Sequence, residues 1–441
     1  MNRRRNGKST KPRGYPNQLL RAMGRYLPHK GLALRSEDQR VRWTDRMLAV
    51  GGMLFSWSNG STLLDAFEAS RQALVSMYPT RKRPGKTTKG FLKTLTKRSP
   101  ELVAGIKNTL RQRVVQEAGW RWRWKRWVVM AADGSRVECP RTAANEAAFE
   151  CGGRNKTTPQ QWVTSIFHVA SGLPWDFRRG KATDSERGQL RDMLAGLPRR
   201  TLLLMDAGFT GFDLLGSILR DGHDFIVRVG ANVTLLAALG YEVQYKGSTV
   251  WLWPKGQQGK QPPLTLRKVE FISHGHKVCL LTSVLSPELL SNAQIKTWYR
   301  QRWMIEVQYR GLKQTMEHRK LLSDSPQRAQ AELDWSVLGL WLLELMQAGS
   351  RRWKRTSRYS LAQALRVVRR AMHRRGRVPA GGLERQLRQA MLDNYRRTRP
   401  KKARDWPHKK NEPPCGYPII RTATRREIRL AQAFYAQTIP A

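Results

Sequence analysis

A chain of 441 residues with 40% hydrophobic content is long enough for two or three domains and a substantial core. Its 81 Lys and Arg face only 33 Asp and Glu, and a formal net charge of +48 would self-repel without a polyanion, which points to nucleic acid. An acidic membrane fits poorly, because the basic residues are spread along the whole chain with no amphipathic anchor or lipidation signal among them.

The opening MNRRRNGKSTKPRGYPNQ is positive but has no apolar segment behind it, so a secretory signal is not expected and the protein should stay inside the cell. Residues 1–35 are expected to form a basic flexible arm suited to nonspecific DNA contact. Apolar residues then recur at helical spacing, which predicts an α-helical domain over residues 36–115, and the basic charge of the chain makes it a candidate for DNA binding. PTRKRPGKTTKG interrupts that pattern. Its GKT is a basic linker and not a phosphate loop, since Thr80 stands six before Lys86 where that motif needs glycine.

In RWRWKRWVVMAADGSRVECP the chain becomes continuously apolar from Val128 to Ala132 and stops at Asp133-Gly134, which predicts a buried strand ending in an exposed carboxylate. QQWVTSIFHVASGLPWDF predicts a strand and turn, and SERGQLRDMLAGL a helix. TLLLMDAGFTGFDLLGSIL predicts a short apolar strand, Asp206, a glycine turn and an amphipathic helix. This β-then-α order is that of an α/β mixed sheet with crossover helices, and residues 116–229 form its first part. Residues 230–276, polar and punctuated by Gly and Pro, predict a β-rich insertion. Residues 277–350 return to strand character at KVCLLTSVLS, continue into WYRQRWMIEVQYRGLKQ, and end in a buried helix, Leu333 to Met346, whose apolar run Val337 to Met346 is interrupted by Glu344 and too short for a bilayer. Residues 351–441 are expected to be a basic region for DNA binding or dimerisation, with one helix in SLAQALRVVRRAMHRR and an irregular tail.

Four cysteines, Cys139, Cys151, Cys279 and Cys415, lack CxxC spacing, and His274 with His276 has no matching pair, so neither a zinc site nor a disulfide framework is expected. The carboxylates are more informative. On a continuous helix Tyr299, Arg302, Glu306 and Lys313 project within roughly 60° of one another. Trp298, Ile305, Leu312 and Met316 form a neighbouring apolar stripe. The plain account of the polar face is a solvated helix laced by Arg302–Glu306 and Glu306–Arg310 pairs. Asp133 and Asp206 have plain accounts too, as turn residues. Together, though, two strand-end aspartates and a helical glutamate can hold two hard divalent cations about 3.5–4 Å apart for phosphoryl transfer, with nearby Arg, Lys and Tyr on the phosphates.

Here the sequence resembles the DDE transposases of bacterial insertion sequences, specifically the IS-four family. That family's signature is Tyr, two residues, Arg, three residues, Glu, six residues, Lys, and Tyr299, Arg302, Glu306 and Lys313 satisfy every interval. ADGS around Asp133 and LMDAGFTG around Asp206 resemble its two aspartate blocks. FIVR (Phe225–Arg228) and LLTS (Leu280–Ser283) are similar to segments bounding its β insertion. The resemblance covers about residues 125–350. It implies an RNase H-like catalytic core interrupted by that insertion, with Asp133, Asp206 and Glu306 as catalytic residues holding two divalent ions, Mg²⁺ with Mn²⁺ as substitute. It also implies DNA contacts by Tyr299, Arg302, Lys313 and Arg228, a homodimer in a synaptic complex with inverted-repeat ends and target DNA, and a bacterial cytoplasmic location at the nucleoid.

One departure stands out. Relatives carry a base-stacking tryptophan where Val278 stands here, which leaves the hairpin step open; Trp251 and Trp253 are the nearby indoles, with a core role as their plain account. Two other functions stay open at this stage: an RNase H-like nuclease without strand transfer, and a catalytically inactive DNA-binding relative.

Overall fold

The computed structural model describes residues 15–27, 42–78, 83–152, 157–240, 245, 247–273, 275–349, 359–373, 382–392 and 416–438. Four helices come first: α1 (Tyr15–Gly24), α2 (Asp45–Trp57), α3 (Leu63–Met77) and α4 (Thr88–Ala118). Local chemistry sets their starts. Thr44, Thr62 and Thr87 each accept a backbone N–H from the first turn of α2, α3 and α4, so the GKT threonine is a helix cap and not part of a phosphate loop. Part of the expected arm is therefore ordered as α1, because Leu19 and Met23, one turn apart, are fully buried against α11 (Leu361–His373) and α12 (Gly382–Gln389). The rest of that arm, residues 1–14 and 28–35, lies outside the described residues.

The sheet follows with β1 (Val128–Glu138), α5 (Ala143–Phe149), β2 (Gln160–His168), β3 (Leu173–Lys181), α6 (Glu186–Met193), β4 (Thr201–Met205), α7 (Phe212–Arg220) and β5 (Asp224–Val229). β1, β2 and β3 pair antiparallel, whereas β4 lies parallel to β1 and β5 parallel to β4. This is the mixed sheet expected from the alternation of strands and helices. The RWRWKRW run is not part of it. Gly119–Trp122 is a 3₁₀ turn and Trp124–Trp127 a tight turn whose stacked indoles lie 5.9 Å apart.

The insertion joins the same sheet edge to edge. β6 (Thr234–Ala237), β7 (Thr249–Leu252), β8 (Leu264–Ser273) and β9 (His276–Thr282) extend it, giving the order β10-β6-β7-β8-β9-β5-β4-β1-β2-β3. The FIVR and LLTS segments are the seam, with Arg228 opposite Leu280 and Ile226 opposite Thr282. The expected irregular tail instead contributes β10 (Ile419–Thr422) and α13 (Arg425–Thr438). β10 pairs parallel to β6, and Ala423 and Ala431 close a small apolar cluster over Trp251 and Trp253.

Between β9 and the tail run α8 (Asn292–Gln301), α9 (Met304–Arg310) and α10 (Pro326–Gly349). α10 is buried along most of its length, packed on α4 and α2, with its charged Asp334 paired to Arg179 within the fold. A methyl group on Gly52 would stand 2.5 Å or less from the Trp335 ring, so glycine is what lets α2 and α10 approach. Trp57 and Trp335 are fully buried, and each such side chain contributes roughly 1.5–3 kcal/mol or more. No helix among the described residues is long and apolar enough to cross a membrane.

Candidate functional site

β1 runs on past Asp133 to Glu138, so that aspartate is not a strand end. β1 outruns its partner β4: pairing to β4 stops at Ala131↔Leu204, while pairing to β2 continues to Glu138↔Gln160. Extending the β1–β4 register two residues sets Asp206 level with Asp133 on the neighbouring strand, about 5 Å away in the hydrogen-bonding direction. Each aspartate accepts a nearby glycine N–H, Asp133 Oδ1 from Gly134 at 2.9 Å and Asp206 Oδ1 from Gly208 at 2.9 Å. Burial first, and then the neighbouring Asp206 carboxylate, push the Asp133 carboxyl up to about 6.

The segment carrying Tyr299, Arg302, Glu306 and Lys313 is not one continuous helix. α8 ends at Gln301, α9 begins at Met304, and Gly311–Thr315 is a π turn. The apolar stripe still seats it, with Ile305, Leu312 and Met316 buried. Gly311 opens the π turn where an added Cβ would strike Leu361 of α11, within 2.5 Å. The polar residues still converge on β1. Arg302 lies between two carboxylates, its Nη1 3.8 Å from Asp133 Oδ2 and its Nη2 3.4 Å from Glu306 Oε1. Lys313 Nζ donates to Ser135 Oγ at 2.7 Å, on the strand position that shares a face with Asp133. Tyr309 donates to the carbonyls of Asp133 at 2.8 Å and Val163 at 3.0 Å, which pins α9 to the strand. The Arg302 guanidinium sits 5.7 Å from the Tyr299 ring, and Arg228 acts electrostatically on the same phenol. Nε of Arg228 and both Nε and Nη1 of Arg302 are buried without a hydrogen-bond partner. Such orphaned donors are costly unless an acceptor arrives.

Two features escaped the sequence reading. Glu186, at the start of α6, reaches the same edge. Its Oε2 lies 2.7 Å from the point where a Cβ on Gly134 would stand, and the corresponding point on Gly208 is 3.1 Å from Asp206 Oδ1 and closer still to Glu186 Oε1. Burial, then Asp206, then Asp133, push the Glu186 carboxyl up to about 7. No sequence signal pointed to it, since the glycines that make room for it, Gly134 and Gly208, are brought together only by the fold. The second feature is Trp303, beside Arg302 and 51% exposed, flanked by exposed Met304 and Val307. Trp251 and Trp253 are buried in the cluster under α13, and Val278 is buried too, so none of these offers a stacking face.

The donors suit a hard divalent cation: they are carboxylate oxygens, and Asp133 on β1 and Asp206 just past β4 repel one another. Among the described residues no three His, Cys, Asp or Glu side chains stand close enough together to enclose a metal as they lie. Asp133 and Asp206 are the close pair, and Glu306, 45% exposed, is linked to them through Arg302.

Residues 124–342 match the family described as Transposase DDE domain. A curated relative, the transposase InsG for insertion sequence element IS4 of Escherichia coli (strain K12), is 29% identical over 230 residues, 49% of this chain and 51% of that protein. The chain thus spans about half the length of that relative. Among solved structures, the cryo-EM structure of the piggyBac transposase synaptic complex with hairpin DNA aligns over 89% of each chain at 11% identity and a TM-score of 0.44, a likeness too slight to weigh.

Proposed function

With residues 124–342 carrying a transposase DDE domain, we propose that the protein is the transposase of a bacterial insertion sequence, binding terminal inverted repeats and catalysing metal-dependent cleavage and strand transfer. The observation that carries the reading is that Asp206, one residue past β4, falls level with Asp133 on β1, while Arg302, in the break between α8 and α9, and Glu306, on α9, reach the same edge. In this reading Asp133, Asp206 and Glu306 hold the divalent ions, Mg²⁺ or Mn²⁺, which when bound activate the attacking water or 3′-hydroxyl and stabilise the departing oxygen.

The chain's own residues bind and orient the strand. The buried, unpartnered N–H groups of Arg302 and Arg228 donate to phosphate oxygens, and the Tyr299 phenol lies within the electrostatic reach of both. Arg302 then exchanges its contact with Asp133 for one with the scissile phosphate, freeing that carboxylate for the cation. Lys313, held at Ser135, adds a second positive charge on the same face of β1. Trp303 presents an indole beside Arg302 on which a displaced base can stack. The protein acts in the cytoplasm, at the nucleoid, as a homodimer that pairs two ends with target DNA.

The test is to incubate the protein with Mg²⁺, the repeat ends that flank its reading frame and a plasmid target. Ends cut and joined to the plasmid are the expected product. Ends that are nicked but never joined leave a nuclease, and ends bound but never cut leave an inactive DNA-binding relative.

A further inference from the structure

Glu186 is a carboxylate with nothing to hold it. It makes no hydrogen bond or ion pair with any described residue, although the chain carries 81 Lys and Arg. Its two nearest cations are engaged elsewhere: Arg187 Nε donates to the Gly208 carbonyl at 2.7 Å, and Arg136 lies over the Trp162 ring at 4.7 Å. The backbone makes room for it. Gly134 follows Asp133 and Gly208 lies inside the turn that Asp206 caps, and a Cβ on either would stand within 2.7 Å of a Glu186 carboxylate oxygen. Because successive residues of a strand face opposite ways, Gly134 presents its bare side toward the Trp162 ring and the Glu186 carboxylate of α6, while the Asp133 carboxylate faces Arg302. The two missing side chains therefore open a window through which a carboxylate from α6 reaches the edge that Asp133 and Asp206 share. A cavity of about 440 Å³, lined by Arg136, Trp162, Glu186, Arg187 and Gly208, lies on the α6 side of these glycines and has room for water around the Glu186 carboxylate.

Building on the function proposed above, we propose that Glu186 is a fourth carboxylate of the site, a positioning residue that binds the water shell of the divalent cation carried by Asp133 and Asp206. Water is the natural bridge, since no three acidic groups close directly on one point and Mg²⁺ keeps several of its waters. The carboxylate's function is to fix those waters, and with them the orientation of the two aspartates.

The test measures Mn²⁺ binding to the full-length, DNA-free protein by the loss of the free-ion electron paramagnetic resonance signal. Glu186→Gln keeps the shape and removes the charge; it is expected to weaken Mn²⁺ binding about tenfold, the lower end of what outer-shell partners contribute. Gly208→Ala, which closes the window, is expected to weaken it similarly, and the double variant to be no weaker than either single one, because both remove the same contact. Thermal unfolding separates this from misfolding. Without metal, Glu186→Gln should unfold at the same or a higher temperature than wild type, while Mn²⁺ should raise its melting temperature less. Wild-type Mn²⁺ affinity in Glu186→Gln overturns the proposal while leaving the function above intact. If Asp133→Asn also binds Mn²⁺ like wild type, the functional reading falls with it.

Discussion

The interface of α4 with β3 and the edge shared by β1 and β4 both contain part-buried aspartates, but they treat them in opposite ways. Asp176 on β3 is gripped by Lys107 and Arg111 from α4 and also accepts the Phe177 N–H at 2.7 Å. Asp334 on α10 is paired with Arg179 at 2.9 Å. At the β1–β4 edge the closest cation to Asp133 is Arg302 at 3.8 Å, and Glu186 has none within ion-pair distance among the described residues. Cations are not scarce in this chain. Acids that hold the fold together are neutralised by the fold, and acids left uncompensated at one edge are suited to a cation from outside.

The largest effects should divide along that line. Asp133→Ala or Asp206→Ala is expected to lower end cleavage by at least about 10³-fold while DNA binding, driven by basic residues elsewhere, changes less than about twofold. Asp176→Ala should do the reverse. It strands Lys107 and Arg111 in a part-buried site, a change costing about 3–5 kcal/mol, so its urea midpoint falls while the folded fraction keeps its chemistry. Cleavage assays and urea titrations on the same samples decide it, and an unchanged midpoint for Asp176→Ala would break the contrast.

Stability against pH sharpens it. The Asp133 carboxyl is raised to about 6 by burial and Asp206, so in chelator the folded state holds a proton that the unfolded chain has released. That contribution is complete below about pH 4 and is lost as pH rises through 6, with a magnitude on the order of 3 kcal/mol. Glu427 behaves oppositely. Arg421 bonds it at both oxygens and holds it at about 2, so its contribution is complete above about 4.5 and is lost as pH falls toward 2. Asp133→Asn should remove only the loss on the alkaline side, and Glu427→Gln only the acid one. The difference between each variant and wild type isolates these effects from the self-repulsion of the +48 chain.

How much of this was legible in the sequence follows from the range of the interactions. The carboxylates and their basic companions were visible because motif spacing and apolar runs are local, and the strands on either side of Asp206 were visible for the same reason. The extension of β1 beyond Asp133 was not, since Asp-Gly signals a turn and only pairing with β2 carries the strand onward. The break between α8 and α9 was hidden because Arg302 and Trp303 keep helical backbone angles. Glu186 was invisible, because what marks it is the space left by two glycines distant in sequence. β10 and α13 lay in a segment whose dense charge read as an irregular tail, because the pairing of β10 with β6 is a contact distant in sequence.

Indoles offer a smaller test of the same contrast. Trp303→Ala is expected to slow the joining step about tenfold, the equivalent of 1–3 kcal/mol of base stacking, without changing the urea midpoint. Trp253→Ala should lower the midpoint instead, because its indole is packed against Ala423 and Ala431 and donates to the Gln261 carbonyl at 2.8 Å. First-strand nicking and joining, followed separately, distinguish the two.

The smallest expected effect concerns Arg302, which belongs to both sides of the comparison: among the described residues it is the cation within ion-pair distance of Asp133, and it is a donor with two unmet N–H groups. If it is a structural partner, Arg302→Ala leaves DNA binding alone and destabilises the protein. If it is a phosphate ligand, the variant releases about one fewer counterion on binding an end, so the slope of log K against log salt becomes shallower by about 0.9. Removing the guanidinium also deprives Asp133 of its nearest positive charge, which should raise that carboxyl further and move the alkaline loss of stability to higher pH in chelator. A shallower salt slope together with that shift is the expected result. An unchanged slope with a fall in urea midpoint would return Arg302 to the class of Arg179, a cation whose function is complete once the protein has folded.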